Sequence, residues 1–177
     1  MVQSVRPNLV APARKIVLGH GASGTAASMK PYVVGFKRRG LDALAVDLPN
    51  SNADRAVQVF VEQSGRDVVG GGQSYGGRMA SMASVEADFA GLVLFSYPLH
   101  RPGFPDQLRT DHFKQIRCPV LFMSGDRDPF ARIDLLKKWV KVVPNARLEI
   151  FPGQGHGLLA VLDQALDVAS DFVKSLS

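Results

Sequence analysis

Six short apolar runs, separated by stretches of helical periodicity, constrain this 177-residue chain more than any other feature. The runs are Lys15–Gly19, Ala43–Asp47, Asp67–Gly71, Leu92–Ser96, Val120–Ser124 and Arg147–Phe151. Each is mostly β-branched or aliphatic and is bounded by Gly, Pro, Asp or Asn. Continuous apolar strands of this kind suit a sheet covered on both faces. Between them, Ala26–Arg39 repeats Met29, Val33 and Phe36 and is stopped by Gly40. A second helix runs from Asn52 or Ala53 to Gln63, with Val57, Phe60 and Val61 at helical spacing. Tyr75–Glu86 is rich in small residues and Met, Arg132–Val143 stops before Pro144, and Leu158–Ser175 carries a stripe from Val161 to Val173. The alternation predicts a doubly wound, mostly parallel six-stranded sheet with helices on both faces and right-handed crossovers. In such sheets chemistry sits at the carboxyl ends of the strands.

Length and composition fit one globular domain spanning residues 1–177, with 46% hydrophobic and 21% charged residues. The single cysteine, Cys118, has no partner for an intramolecular disulfide and reads as an inert structural thiol. Met1 to Lys15 contains no secretory core, and no apolar run approaches the roughly 20 residues of a membrane span. A cytoplasmic protein without a membrane partner is the expectation. The formal charge of +5 is spread over short basic runs, Lys37–Arg39 and Lys137–Lys138 with Lys141. These lie toward helix ends, where cations suit the dipole, so no nucleic-acid partner is expected. The four histidines, at 20, 100, 112 and 156, form no H-x-x-x-H pair, so neither a metal nor another cofactor is expected.

After the third run comes Gly72-Gln73-Ser74-Tyr75-Gly76, a G-x-S-x-G pattern between a strand and a helix. That pattern is the nucleophile elbow, in which a tight turn forces the serine into strained backbone angles. The glycines on either side remove Cβ atoms that would collide. A G-x-x-x-x-G-K-[ST] phosphate loop is absent from the sequence.

An activated serine needs a base, and the base an orienting acid, in the chain order Ser, Asp or Glu, His. Gly125-Asp126-Arg127-Asp128-Pro129 follows the fifth run, and Gly155-His156-Gly157 follows the sixth. Asp128 is assigned the acid role, with Asp126 as a turn-capping residue, and His156 is the base. Oxyanion donors are expected from the amide of Tyr75 and from the loop His20-Gly21-Ala22-Ser23-Gly24, with Ala22 as the second donor. His20 reads as shaping that loop by hydrogen bonding, and it is also a candidate substrate contact. Tyr97, His100 and Arg101 follow the fourth run and are either substrate contacts or parts of a structural loop.

Taken together, Gly19-His20-Gly21, Gly72 to Arg78, Gly125 to Asp128 and Gly155-His156-Gly157 resemble the α/β-hydrolase superfamily over nearly the whole chain. Gly76 to Ser81, Tyr97 to Gly103 and Leu108-Arg109-Thr110 are similar to the branch of testis-expressed hydrolase-like proteins and a chromatin-complex scaffold subunit. Dienelactone-hydrolase-like enzymes are looser relatives that use cysteine where this chain has Ser74. The resemblance implies a serine hydrolase acting on a small carboxylic ester or similar acyl compound, with Ser74, Asp128 and His156 as its triad. It implies a minimal, capless member, because the first strand begins by Lys15 and the stretch between Ser96 and Val120 is too short for a lid domain. The alternative implied is a non-catalytic binding or scaffold protein on the same fold.

Overall fold

The computed structural model describes residues 14–177; the N-terminal stretch judged above to lack a secretory core lies, up to residue 13, outside the described residues. Six strands, β1 (Lys15–Gly19), β2 (Asp42–Val46), β3 (Gly65–Gln73), β4 (Phe89–Phe95), β5 (Val120–Gly125) and β6 (Ala146–Phe151), form one sheet in the order β2-β1-β3-β4-β5-β6. All five pairings are parallel. Every strand therefore ends on the same rim. The order reverses between β1 and β3, which makes their carboxyl ends the switch point where ligands sit in open sheets.

Five helices cover the sheet: α1 (Lys30–Arg38), α2 (Ala53–Gln63), α3 (Tyr75–Glu86), α4 (Ile133–Val140) and α5 (Leu162–Ser175). On one face Ala56, Val57 and Phe60 of α2, Met79 and Ala80 of α3, and Leu136 of α4 pack on Val17, Leu92 and Phe122. On the other, Tyr32 and Phe36 of α1 and Leu166, Ala169 and Phe172 of α5 pack on Ile16, Val69, Phe95 and Met123. The apolar periodicity that marked each helix is thus the side that removes hydrocarbon from water.

The element bounds differ from the sequence reading where backbone chemistry intervenes. Ala26–Arg39 is not one helix: a 3-10 turn, Ala26–Met29, precedes α1. Pro31 is the cause, because it has no N–H to give and fits only in the first turn of an α-helix. The last expected helix divides likewise into a 3-10 turn, Leu159–Val161, and α5. α4 stops at Val140, and Val142 and Val143 close single turns onto Trp139 and Val140 before Pro144. β3 runs further than expected, through Gln73, and so delivers Ser74 directly from the strand.

The chain between β4 and β5 is not a lid. It lays Tyr97, Leu99, Phe113 and Ile116 into the core on the α2–α4 face. No helix of the described residues is long and apolar enough to cross a membrane.

Candidate active site

Ser74 stands between β3 and α3 with φ 50 and ψ −114, a strained conformation for a residue with a Cβ. The surrounding structure enforces it. Its N–H donates to the Phe95 carbonyl at 2.8 Å, and its carbonyl accepts from the Arg78 N–H at 3.0 Å. Gly72 has φ 146, and a Cβ at either Gly72 or Gly76 would collide with the backbone of Gly19 on β1. The two glycines thus let α3 start directly beside β1, which brings the loop after β1 up against the turn.

The imidazole of His156 reaches that turn from the loop after β6. Its Nε2 lies 2.8 Å from Ser74 Oγ. Its Nδ1 lies 2.8 Å and 3.0 Å from the two carboxylate oxygens of Asp128, in the loop after β5. A carboxylate only accepts, so Nδ1 carries the proton and Nε2 is left to accept from the serine hydroxyl. The Asp128 side chain is fully buried, while that of His156 is 23% exposed. Asp128 Oδ1 also accepts the Phe130 N–H at 2.8 Å. The structure brings Ser74, Asp128 and His156 into one hydrogen-bonded line.

Asp126 does something else. Its Oδ1 accepts the N–H of Gly153 at 2.7 Å, tying the β5 loop to the β6 loop. It caps a turn, but the turn belongs to the neighbouring loop. Gly125 permits this closeness, since a Cβ there would strike the Gln154 carbonyl.

Tyr75 heads α3, so its N–H is one of the first-turn amides without an intrahelical acceptor. Ala22 lies on the exposed turn after β1, which the Gly24 N–H closes onto the Gly21 carbonyl at 2.9 Å. A Cβ at Gly21 would strike the Gln73 side chain, so this turn stands next to the elbow.

Three of the four candidate substrate contacts are buried, which fits the structural-loop reading of those residues. His20 is 1% exposed; its Nε2 accepts the Leu48 N–H at 2.9 Å and its Nδ1 lies 2.7 Å from the Gly21 carbonyl. It joins the β1 loop to the β2 loop. Tyr97 is 1% exposed, with its hydroxyl on the Arg109 carbonyl at 2.7 Å. His100 is 3% exposed and accepts the Arg132 N–H at 3.0 Å. All three side chains are thus buried and already hydrogen-bonded within the protein. Arg101 is exposed, but its guanidinium lies over the Phe104 ring and donates to Gln107.

The sequence reading missed two features. The Phe130 ring stacks on the His156 imidazole, and its only sequence signal is its place two residues after Asp128. Ser96, at the end of β4, has φ 54 and a buried hydroxyl with no partner. Cys118 is half-buried, and burial pushes its thiol up to about 11, which keeps it in the unreactive protonated form. Among the described residues no three His, Cys, Asp or Glu side chains come together in a way that could hold a metal ion.

The family model for the alpha/beta hydrolase domain matches residues 37–167. A non-heme haloperoxidase of Rhodococcus erythropolis is 34% identical over 85 residues, 48% of this chain and 28% of that protein, so the match spans under a third of the relative's length. Among solved structures, a CIB-like hydrolase from Thermoplasma acidophilum superposes with a TM-score of 0.74 at 20% identity, covering 99% of this chain and 90% of that one. The propionate-bound esterase Est2 of Thermogutta terrifontis gives 0.72 at 19% identity, covering 97% and 88%. A hydrolase of the alpha/beta superfamily from Xanthomonas campestris gives 0.74 at 19% identity, covering 93% and 99%. At these identities the structures report a shared fold.

Proposed function

Because this chain belongs to the alpha/beta hydrolase domain family, we propose that it is a serine hydrolase that cleaves a carboxylic ester or related small acyl compound through an acyl-enzyme on Ser74. The observation that carries this reading is the unbroken line from Ser74 Oγ through His156 to Asp128, with links of 2.8 Å on both sides of the imidazole. His156 Nε2 takes the hydroxyl proton as Oγ attacks the acyl carbon. Asp128, buried and held by the Phe130 amide, keeps the ring in the required tautomer and stabilises its protonated form. The positive end of α3 and the amides of Tyr75 and Ala22 receive the developing oxyanion. His156 then returns the proton to the leaving alcohol, and a water deprotonated by the same imidazole releases the acid. An esterase with propionate bound among the fold's neighbours is consistent with short acyl groups.

The same reading takes residues 1–177 as one domain working in the cytoplasm. It places the chain, on Gly76 to Ser81 and Tyr97 to Gly103, in the testis-expressed hydrolase-like branch. Its test is direct: wild type hydrolyses p-nitrophenyl acetate and is labelled at Ser74 by a fluorophosphonate, while Ser74→Ala does neither and melts at nearly the same temperature. Equal turnover by the variant would reject the nucleophile. An unlabelled, inactive wild type would leave a binding or scaffold protein on this fold.

A further inference from the structure

The turn that carries the Ala22 amide is fixed at its first peptide. The Leu48 N–H donates to His20 Nε2 at 2.9 Å, so the ring proton sits on Nδ1, which donates to the Gly21 carbonyl at 2.7 Å. The Gly24 N–H meets the same oxygen at 2.9 Å, so both lone pairs of that carbonyl are engaged. The peptide is planar and trans, and the Ala22 N–H therefore points away from those two donors. Further along, the Ala26 N–H donates to Asp47 Oδ1 at 2.7 Å, which tethers the other end of the loop.

Gln73 lies against the same peptide. It is the last residue of β3 and pairs with Phe95, so its backbone is held beside Ser74. β1 and β3 stay in register as far as Gly19 and Gly72, which brings the residues after each onto one rim. A methyl built on Gly21 would collide with Gln73 Oε1 and stand 3.5 Å from Gln73 Cδ. Beyond the glycine's own chain neighbours, nothing else among the described residues comes within 4 Å of it. Gly21 has no positive φ, so backbone conformation does not call for a glycine there. The Gln73 carboxamide fills the space that a side chain on Gly21 would take. Both residues are half-buried, while Ala22 is exposed.

We propose that Gln73 is a positioning residue for the oxyanion: its carboxamide, seated on Gly21, braces the turn whose first carbonyl His20 fixes, and so holds the Ala22 amide in place. A neutral amide suits this position. It has the length to reach the turn, and it brings no charge to the place where the tetrahedral oxygen becomes negative. The role rests on the acyl-transfer reading given above, with the Ala22 N–H as the second donor.

The test is steady-state kinetics with p-nitrophenyl acetate on Gln73→Ala, Gln73→Met and Gln73→Glu, with a melting temperature for each. Gln73→Ala is expected to lower kcat and kcat/KM together by roughly tenfold and leave KM unchanged, since a displaced donor weakens the transition state alone. Gln73→Met keeps the length and should recover most of that loss. Gln73→Glu keeps the length too but sets an anion beside the oxyanion, and should lose roughly ten- to a hundredfold in kcat. Glutamate no worse than methionine, or losses in KM with kcat intact, would overturn the role. Gly21→Ala is an independent check: its methyl should cost kcat when Gln73 is present and much less in Gln73→Ala, where the space is open. Losses that simply multiply would reject the contact. A wild type that hydrolyses no ester sinks the acyl-transfer reading and this role with it, whereas an active wild type indifferent to Gln73 sinks the role alone.

Discussion

The ring of Phe130 lies flat against the imidazole of His156, with centroids 4.1 Å apart and planes 28° from parallel. Phe130 also gives its N–H to Asp128 at 2.8 Å, so one residue positions both the acid and the ring that the acid orients. Aromatic stacking of this kind contributes about 0.5–1.5 kcal/mol. Phe130→Ala is expected to lower kcat by roughly three- to tenfold while KM stays close to wild type, and Phe130→Tyr to restore most of it. A KM effect without a kcat effect would mean that Phe130 holds substrate instead.

Asp128→Asn should cost roughly 10³- to 10⁴-fold in kcat, because an amide can present its N–H to Nδ1 and so impose the wrong tautomer. Asp126→Asn keeps an acceptor for the Gly153 N–H and is expected to retain most activity. Steady-state kinetics on the two variants separate the acids; the reverse ranking would transfer the role to Asp126.

At Gly76 an added methyl would run into the carbonyl of Gly19, and backbone cannot yield as a flexible side chain does. Gly76→Ala should destabilise the fold by about 2–3 kcal/mol or more in urea. Gly157→Ala, with open space around the new carbon, should change it by less than about 0.5 kcal/mol. Similar midpoints for the two would contradict the tight approach of β1 and α3.

His112 gives stability a pH dependence of known sign. Burial, then the Arg78 charge, lowers it from an ordinary 6.5 to about 4. Between those values the unfolded chain binds a proton that the fold refuses, so stability falls as pH drops from 6.5 toward 4. The urea midpoint of wild type should decline over that window. His112→Gln, which keeps a donor for the Ser81 hydroxyl that His112 Nε2 meets at 2.8 Å, should decline less.

Most of the architecture was legible in the sequence because it depends on local chemistry. Apolar runs named the six strands, Gly72 and Gly76 marked the elbow, and chain order picked out Asp128 and His156 before any distance was available. What escaped was set by contacts between distant segments. Tyr97 and His100 follow a strand on the active rim, as substrate contacts would. Whether they face a ligand or the core was decided by the Arg109 carbonyl and the Arg132 amide, and nothing in the run Tyr97-Pro98-Leu99-His100 points to either. Phe130 escaped for the same reason, since its partner lies on another loop. Pro31, by contrast, was a local signal for a later helix start, and the periodicity of Met29, Val33 and Phe36 masked it.

Ser74 and His156 lie 82 residues apart in sequence, and their loops leave strands separated by β4 and β5. The three side chains therefore meet only once four neighbouring strands have found their register, and no fragment short of that can assemble the line. The weakest member is β6, an edge strand whose residues are mostly only part-buried. Fraying there would withdraw the proton acceptor while the central strands stay intact, so under heat or denaturant the chemistry should fail from the periphery inward.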